Sequence, residues 1–375
     1  MAVTINSSPQ LYTPSDNPIV WKFSSNLTAS ANFSYLVELY VSGSLTGTHQ
    51  VYPESGVYSH FDASDVVKTM LDIPDINQAT LTADALNNRE VYIIVKEFYG
   101  TTPTVHATAT SSTINVWKAR LDNKEFSNYD YTDWRGNGAR FLTDMPDNTL
   151  VREGNNYLVS LITDYTAYIT VKLYDSSGTL LDTITQEFDN VVTQFNLNTD
   201  ILASSFTSST EYIEYYVSDS ATDLLISETK RFYINRACQN GFPLYWINKY
   251  GGFDTYDFSF NAIFSSAIES KTFEKQFGEW SSSNYVFDAS NSGVLSYFKT
   301  ANDTLQLVSN YINQATQNWL VRTCYISPVV YMLDTTYDRV TIDNTAYTEN
   351  QDRFVEEYTE IVTIKLPNTR KSLIV

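Results

Sequence analysis

Apolar residues alternate with polar ones along most of this chain, and the alternation stops and restarts at Gly, Asn and Ser clusters. That period of two predicts strands with one buried face rather than helices. FSYLVELYVSG (Phe33 to Gly43) and AYITVKLYDSSG (Ala167 to Gly178) are each an alternating strand running into a glycine turn. In both, a tyrosine (Tyr40, Tyr174) is followed 21 residues later by a phenylalanine (Phe61, Phe195) that opens FDASDVV or FNLNTDIL. VYIIVKEFYG (Val91 to Gly100) and EYIEYYVSDS (Glu211 to Ser220) come next, then INVWKAR (Ile114 to Arg120) and KRFYINR (Lys230 to Arg236). Order and element type match, and spacing drifts only in the loops. The pattern predicts a duplicated unit of roughly 110 residues, of the size and strand spacing of immunoglobulin or fibronectin type III sandwiches. After Phe61, Asp62 or Ser64 can cap a short helix whose apolar stripe is Val66, Val67, Met70 and Leu71, ending before Pro74.

The expected organisation is mainly β: two tandem immunoglobulin/fibronectin III-like β-sandwiches followed by an α+β C-terminal domain. Residues 1–120 form the first sandwich, 121–156 a connecting segment, 157–236 the second sandwich and 237–375 the C-terminal assembly domain. In the last part, strands are expected at Leu244 to Ile247, Asp254 to Phe264, Tyr285 to Phe287 and Val294 to Lys299. A long helix capped by Asn302 or Asp303 follows, with Leu305, Val308, Ile312, Ala315 and Trp319 on one face and Pro328 closing its exit. A terminal strand from Arg353 to Leu366 carries Phe354, Tyr358, Val362, Ile364 and Leu366 on one side.

Composition sharpens this. At 375 residues, two or three domains are the natural division. Aromatics make up 14% of the chain, with 28 Tyr and 20 Phe, against 18% charged residues; that balance suits half-buried pleated surfaces. The formal net charge of -19 (24 basic against 43 acidic residues) repels phosphate backbones, so no direct nucleic-acid binding is expected. The N-terminus has neither a basic region nor an apolar one, and no window approaches a membrane span, so a soluble, cytosolically made chain without membrane contact is expected.

Chemistry-bearing patterns are thin. Cys238 and Cys324, the only cysteines, form no CxxC and read as free buried thiols. His49, His60 and His106 lie in different contexts, with no GxSxG elbow beside any of them. Asp254, Asp257 and the run Asp334 to Asp343 lack the spaced oxygen ligands of a calcium loop. No catalytic residue, metal site or cofactor is therefore assigned. The candidate recognition element is FPLYWINKYGGFDTYDFSF (Phe242 to Phe260), dense in aromatics around a Gly-Gly hinge. Its candidate residues are Tyr245, Trp246, Tyr250, Gly251, Gly252, Phe253 and Tyr256. The glycines would supply positive φ at a corner. Tyr245, Trp246 and Tyr250 could stack on sugar rings, or simply pack the interior.

LYWINKYGGFDTYDF, and WLVRTCYISPVVYMLDTTYDRVTIDNTAY followed by FVEEYTEIVTIKLP, resemble structural proteins of tailed phages of Bacteroidota, the crAss-like phages in particular; NPIVWKF and FDASDVVKTML are similar to the same proteins. The resemblance implies a virion component of the tail, collar or portal-proximal ring type, made and assembled in the bacterial host cytoplasm. Its implied partners are portal or tail proteins and copies of itself, in a cyclic homo-oligomer. It transfers no catalytic residue. A carbohydrate-binding or receptor-recognising adhesin is the alternative, and a glycan hydrolase the third reading.

Overall fold

The computed structural model describes residues 3–54, 56–74, 76, 82–83, 88–154, 156–164, 166–188, 192–197, 207–219, 224–236, 241–276, 278–286, 293–333, 335–344 and 357–371. The chain is mainly β, arranged in several sheets. It divides into two compact units, one made of Met1–Asn235 with Ile247–Thr255, the other of Arg236–Trp246 with Tyr256–Val375.

The first unit begins with strands β1 (Thr4–Ser7), β2 (Tyr12–Pro14), β3 (Val20–Ser24), β4 (Ser34–Val41), β5 (Ser44–Val51) and β6 (Tyr58–Asp62). Helix α1 (Ser64–Val67) and strands β7 (Thr82–Ala83), β8 (Asn88–Tyr99), β9 (Thr104–Thr110) and β10 (Ile114–Trp117) follow. Two sheets form, in the orders β1-β3-β6 and β2-β10-β8-β4-β5, with β9 added on β8. Alternation decides what lies between them. Tyr35, Val37, Leu39 and Val41 of β4 and Val91, Ile93 and Val95 of β8 turn inward to meet Trp21 and Phe23 of β3 in one core. Edge-to-face contacts of Tyr35 with Phe23 at 4.9 Å and with Phe33 at 5.0 Å fix its ring, and its hydroxyl donates to the Val57 carbonyl at 2.9 Å. Burial, partly opposed by a hydrogen bond from the Ser25 backbone, pushes this phenol up to about 12. Helix α1 has Ala63 at its N-cap with no side-chain cap, rather than the expected Asp62 or Ser64; Asp62 Oδ1 instead accepts from the Ser64 amide at 2.9 Å and from Ile19 N at 3.1 Å just ahead of it.

The same strand order then recurs. Short helices α2 (Asn123–Phe126) and α3 (Tyr131–Arg135) precede β11 (Ala139–Phe141), β12 (Thr149–Arg152), β13 (Leu158–Thr163), β14 (Ala167–Tyr174), β15 (Leu180–Phe188), β16 (Val192–Asn196), β17 (Tyr212–Ser218) and β18 (Lys230–Asn235). β11-β13-β16, to which β7 adds beyond β16, repeats β1-β3-β6, and β12-β18-β17-β14-β15 repeats β2-β10-β8-β4-β5. Even the exceptional pairings repeat, because β2/β10 and β12/β18 are both parallel in sheets otherwise antiparallel. Tyr40 stacks on Tyr92 and Tyr174 on Tyr212, each pair 4.8 Å apart. Phe141 of β11 meets Tyr215 of β17 at 4.9 Å, so here too a ring from one sheet packs on the other. The segment 121–156, expected to connect the copies, supplies β11 and β12 to these sheets. Phe195 lies in β16, while most of the stretch after it (198–206), where the second copy's counterpart of α1 would fall, is outside the described residues.

The second unit takes residues 242–246 of strand β19 (Phe242–Ile247) and residues 256–258 of β20 (Phe253–Phe258), with β21 (Asn261–Lys275), β22 (Glu279–Ser281), β23 (Asn284–Val286), β24 (Gly293–Val308), β25 (Val330–Leu333), β26 (Tyr337–Ile342) and β27 (Ile361–Lys371). Their sheet runs β20-β19-β25-β26-β27-β24-β21, and β22 pairs with β23. Helix α4 (Gln314–Trp319) continues as a π turn through Cys324 and buries Trp319, Leu320, Val321 and Cys324. Trp319 lies 5.0 Å from Trp246, whose indole N–H donates to Thr323 Oγ1 at 3.1 Å.

The long helix expected from Asn302 is not there. Asn302 to Val308 belong to β24, and the helix starts only at Gln314, capped by the Asn313 side chain accepting from Thr316 N at 2.8 Å. Leu305 and Leu307, both buried, alternate as strand residues do, facing Ile364 and Val362 of β27. The helical spacing was a coincidence within a short apolar run, where periodicity alone does not separate helix from strand. The expected strand Asp254 to Phe264 is divided between β20 and β21. Phe287, Asp334, Phe354 and Cys238 lie outside the described residues.

Candidate functional site

The Gly-Gly corner is the best-defined polar and aromatic constellation in the first unit. Gly251 sits at φ +85°, a conformation costly for any residue with a Cβ. At Gly252 a Cβ would stand 2.6 Å from the Leu142 carbonyl oxygen, and at Gly251 it would stand 1.8 Å from that of Lys118. Close backbone approach thus bars a side chain at both glycines, and positive φ adds to it at Gly251 alone.

Asn248 organises the turn. Its Oδ1 accepts from the Tyr250 and Gly252 amides at 2.9 and 3.2 Å. Its Nδ2 donates to Leu142 O at 2.8 Å and Asp254 Oδ1 at 2.9 Å. The same Asp254 oxygen accepts from Thr143 Oγ1 at 2.6 Å, so this carboxylate is engaged by corner donors. Sequence reasoning passed over Asn248, although Asn before a glycine turn is the Asx signal for a side chain bonding amides further along.

Around Tyr250 the chain gathers Tyr12, Trp117, Ala119, Leu121, Tyr131, Leu142 and Ile162 into a second apolar cluster. Trp117 Nε1 donates to Tyr250 O at 3.1 Å, and Arg120 N to Lys249 O at 2.7 Å. The Lys249 ammonium reaches Asp122 and Glu125 at 3.0 Å and Asp144 at 3.4 Å. Tyr250 Oη is placed to donate to Asp144 Oδ1 at 2.9 Å, with Glu125 Oε1 at 3.2 Å. Trp134 Nε1 donates to that same Glu125 oxygen at 3.1 Å, and the Arg140 guanidinium lies over the Trp134 ring at 4.4 Å. Burial lowers the Lys249 pKa, but the Tyr250 oxygen, Asp144, Asp122 and Glu125 together outweigh it and hold the ammonium above the usual lysine range. Burial first, then Asp144, pushes the Tyr250 phenol up as well. The arrangement is a locked ion cluster that ties the corner to α2.

A folded-state pKa raised above the unfolded value means stabilisation that is complete below the ordinary lysine pKa of about 10.4 and fades as pH rises through the folded value. Lys249→Met is therefore expected to lower unfolding free energy by about 2 kcal/mol, less than for a fully buried pair because the cluster is partly solvated. That deficit should stay level from about pH 6 to about pH 10. Urea titrations across this range check it, and a deficit that shrinks before pH 10 would contradict the cluster.

Of the candidate residues, Tyr250, Gly251, Gly252 and Phe253 are buried in the first unit, and Tyr245, Trp246 and Tyr256 in the second. Tyr245 packs edge-on against Tyr337 at 5.2 Å and Tyr256 against Phe258 at 4.9 Å. Their ring faces are spent on neighbours in the chain, which is the interior-packing role. The histidines are scattered: His49 lies against Phe61, His60 pairs with Glu54 at 2.8 Å and His106 stacks on Tyr99 at 3.8 Å. Cys324 is a buried free thiol.

Exposed apolar surface lies elsewhere, on β21 and β24 of the second unit. Phe264 and Ile268 are 65% and 66% exposed, Ile263 and Phe273 both 47%, and Val294 72%. Residues 264 and 268 fall on one face of β21 and 263 and 273 on the other, so the ribbon exposes apolar side chains on both faces, although the first face is covered at the end where Leu305 and Leu307 are buried. Sequence reasoning missed it because a strand with both faces in water carries no alternation.

No family model and no curated protein matches the chain. Among solved structures it is similar to the crystal structure of CBD12 from CALX1.2, at 10% identity over 60% of this chain and 96% of that one, with a TM-score of 0.18. It is also similar to a calcium-binding mutant of Bacteroides uniformis beta-glucuronidase 2, at 12% identity over 68% of this chain and 30% of that one, with a TM-score of 0.15.

Proposed function

We propose that this chain is a structural protein of a tailed-phage virion, of the tail, collar or portal-proximal ring type, acting by protein–protein assembly. The observation that carries the assembly reading is the β21/β24 ribbon, with large apolar side chains exposed on both faces. Exposed apolar surface gathered in one place marks an interaction site far more often than scattered single residues do. The virion assignment rests on the resemblance of the corner and C-terminal segments to crAss-like phage proteins. In this reading the recurring strand orders are two tandem immunoglobulin/fibronectin III-like sandwiches serving as spacers, and residues 237–375 are an α+β assembly domain. The buried corner is then scaffold, and the ribbon meets the partners. Mass photometry of the purified chain and cryo-EM of the particle are expected to give closed, symmetric multimers, the usual outcome for repeated copies. A stable monomer in both would overturn the proposal, and binding of purified host glycan by the isolated chain would favour an adhesin.

A further inference from the structure

Strand β21 is fifteen residues long, ends its sheet, and among the described strands pairs only with β24. Among the described residues, β27 pairs with β24 as far as Lys371 opposite Thr300. Beyond it, among the described residues, Ser270 to Lys275 and Gly293 to Lys299 pair only with each other. A two-stranded ribbon is marginal in water, and a long edge without proline offers a row of backbone donors and acceptors to another strand. Charge narrows the choice of that strand. β21 and β24 carry Lys271, Lys275 and Lys299 against Glu269, Glu274 and Asp303, so three positive and three negative charges leave the ribbon neutral in a chain of net charge -19. Two copies approaching along these segments avoid the repulsion that the rest of the chain would impose.

We infer that β21 adds to β21 of a second copy, antiparallel across a two-fold axis, with Ser270 opposite Ser270. This register puts Glu269 opposite Lys271 on the same face, twice by symmetry, the arrangement that favours cross-strand pairs. Ala267 then faces Phe273 and Ile268 faces Thr272, while Glu274 and Lys275 face Ser266 and Ser265, so no like charges oppose each other. A two-fold contact of this kind closes on itself. The inference rests on the assembly reading in one respect, that copies of the chain meet.

The test uses the full chain with Ser266→Cys, Ser270→Cys or Thr272→Cys under mild oxidation, beside the parent to measure background from its own cysteines. Ser270→Cys is expected to give a reducible dimer on a denaturing gel, because directly opposed residues of antiparallel strands bring their Cα atoms to about 5 Å. Sedimentation velocity supplies the second arm. Lys271→Glu, which opposes two glutamates, should weaken dimerisation at least tenfold, and Glu269→Lys combined with Lys271→Glu should restore it. Dimers in solution with no cross-link at any of the three positions, or a double variant as weak as the single one, would overturn the β21 contact and leave assembly standing. Monomers at every concentration would overturn the assembly reading itself.

Discussion

Gly251→Val should be among the most damaging single substitutions in this chain, lowering unfolding free energy by about 3 to 5 kcal/mol. Two costs combine at this position. The backbone sits at φ +85°, where a β-branched residue is strained by about 1 to 3 kcal/mol. A Cβ would also fall 1.8 Å from the Lys118 carbonyl oxygen, which is backbone and cannot swing aside, so the corner must move as an overpacked core does, at a further 1 to 3 kcal/mol or about that. Gly154→Ala separates the two terms, since Gly154 has φ +83° and no atom within 4 Å of a built Cβ. It should lose only the strain, about 1 kcal/mol. For a domain of this size the Gly251 variant's midpoint should fall by about 10 °C and the Gly154 variant's by about 3 °C. Differential scanning fluorimetry compares them directly, and similar melts for Gly251→Val and the parent would remove the Lys118 approach from the account.

The contrast between those two glycines marks where sequence stops being informative. Tyr40, Tyr174 and the alternation around them are visible because one face of each strand is buried, and burial writes period two into the residues. The repeat was legible for the same reason, down to the strands that end in Trp117 and Asn235. A close approach such as Leu142 O to Gly252 leaves no trace in the sequence beyond the glycine itself, so the residue could be flagged but its reason could not. The β21 ribbon failed in the opposite way. SSAIESKTFEK is polar and apolar on both sides, and without a buried face there is no pattern to read. From Leu305 to Val308 a helical spacing and a strand alternation coincide, and Ile312 and Trp319 extend the helical one across the break that separates β24 from α4.

Asn248→Leu is the second substitution expected to cost heavily, about 3 to 4 kcal/mol, and it does so without changing volume much. The asparagine amide satisfies four partners at once: the Tyr250 and Gly252 amides, the Leu142 carbonyl and Asp254. Leucine takes both donors and acceptors away while leaving those groups in a site where Asn248 itself is only 7% exposed. An intact buried hydrogen bond contributes about 1 kcal/mol net, whereas a buried group stripped of its partner costs about 1 to 3. Three groups are stripped by the change, the Tyr250 and Gly252 amides and the Leu142 carbonyl, while Asp254 keeps Thr143. Asn248→Asp is the informative companion. It preserves the acceptor for Tyr250 N and Gly252 N but replaces the donor to Asp254 with a second carboxylate, so two acidic groups meet across the turn. It should resemble the parent near pH 3, where carboxyl groups take up protons, and approach the leucine variant near pH 7. Denaturant titrations of both variants at the two pH values check this, and an aspartate variant equally destabilised at both would show that repulsion between the two carboxylates is not the cause.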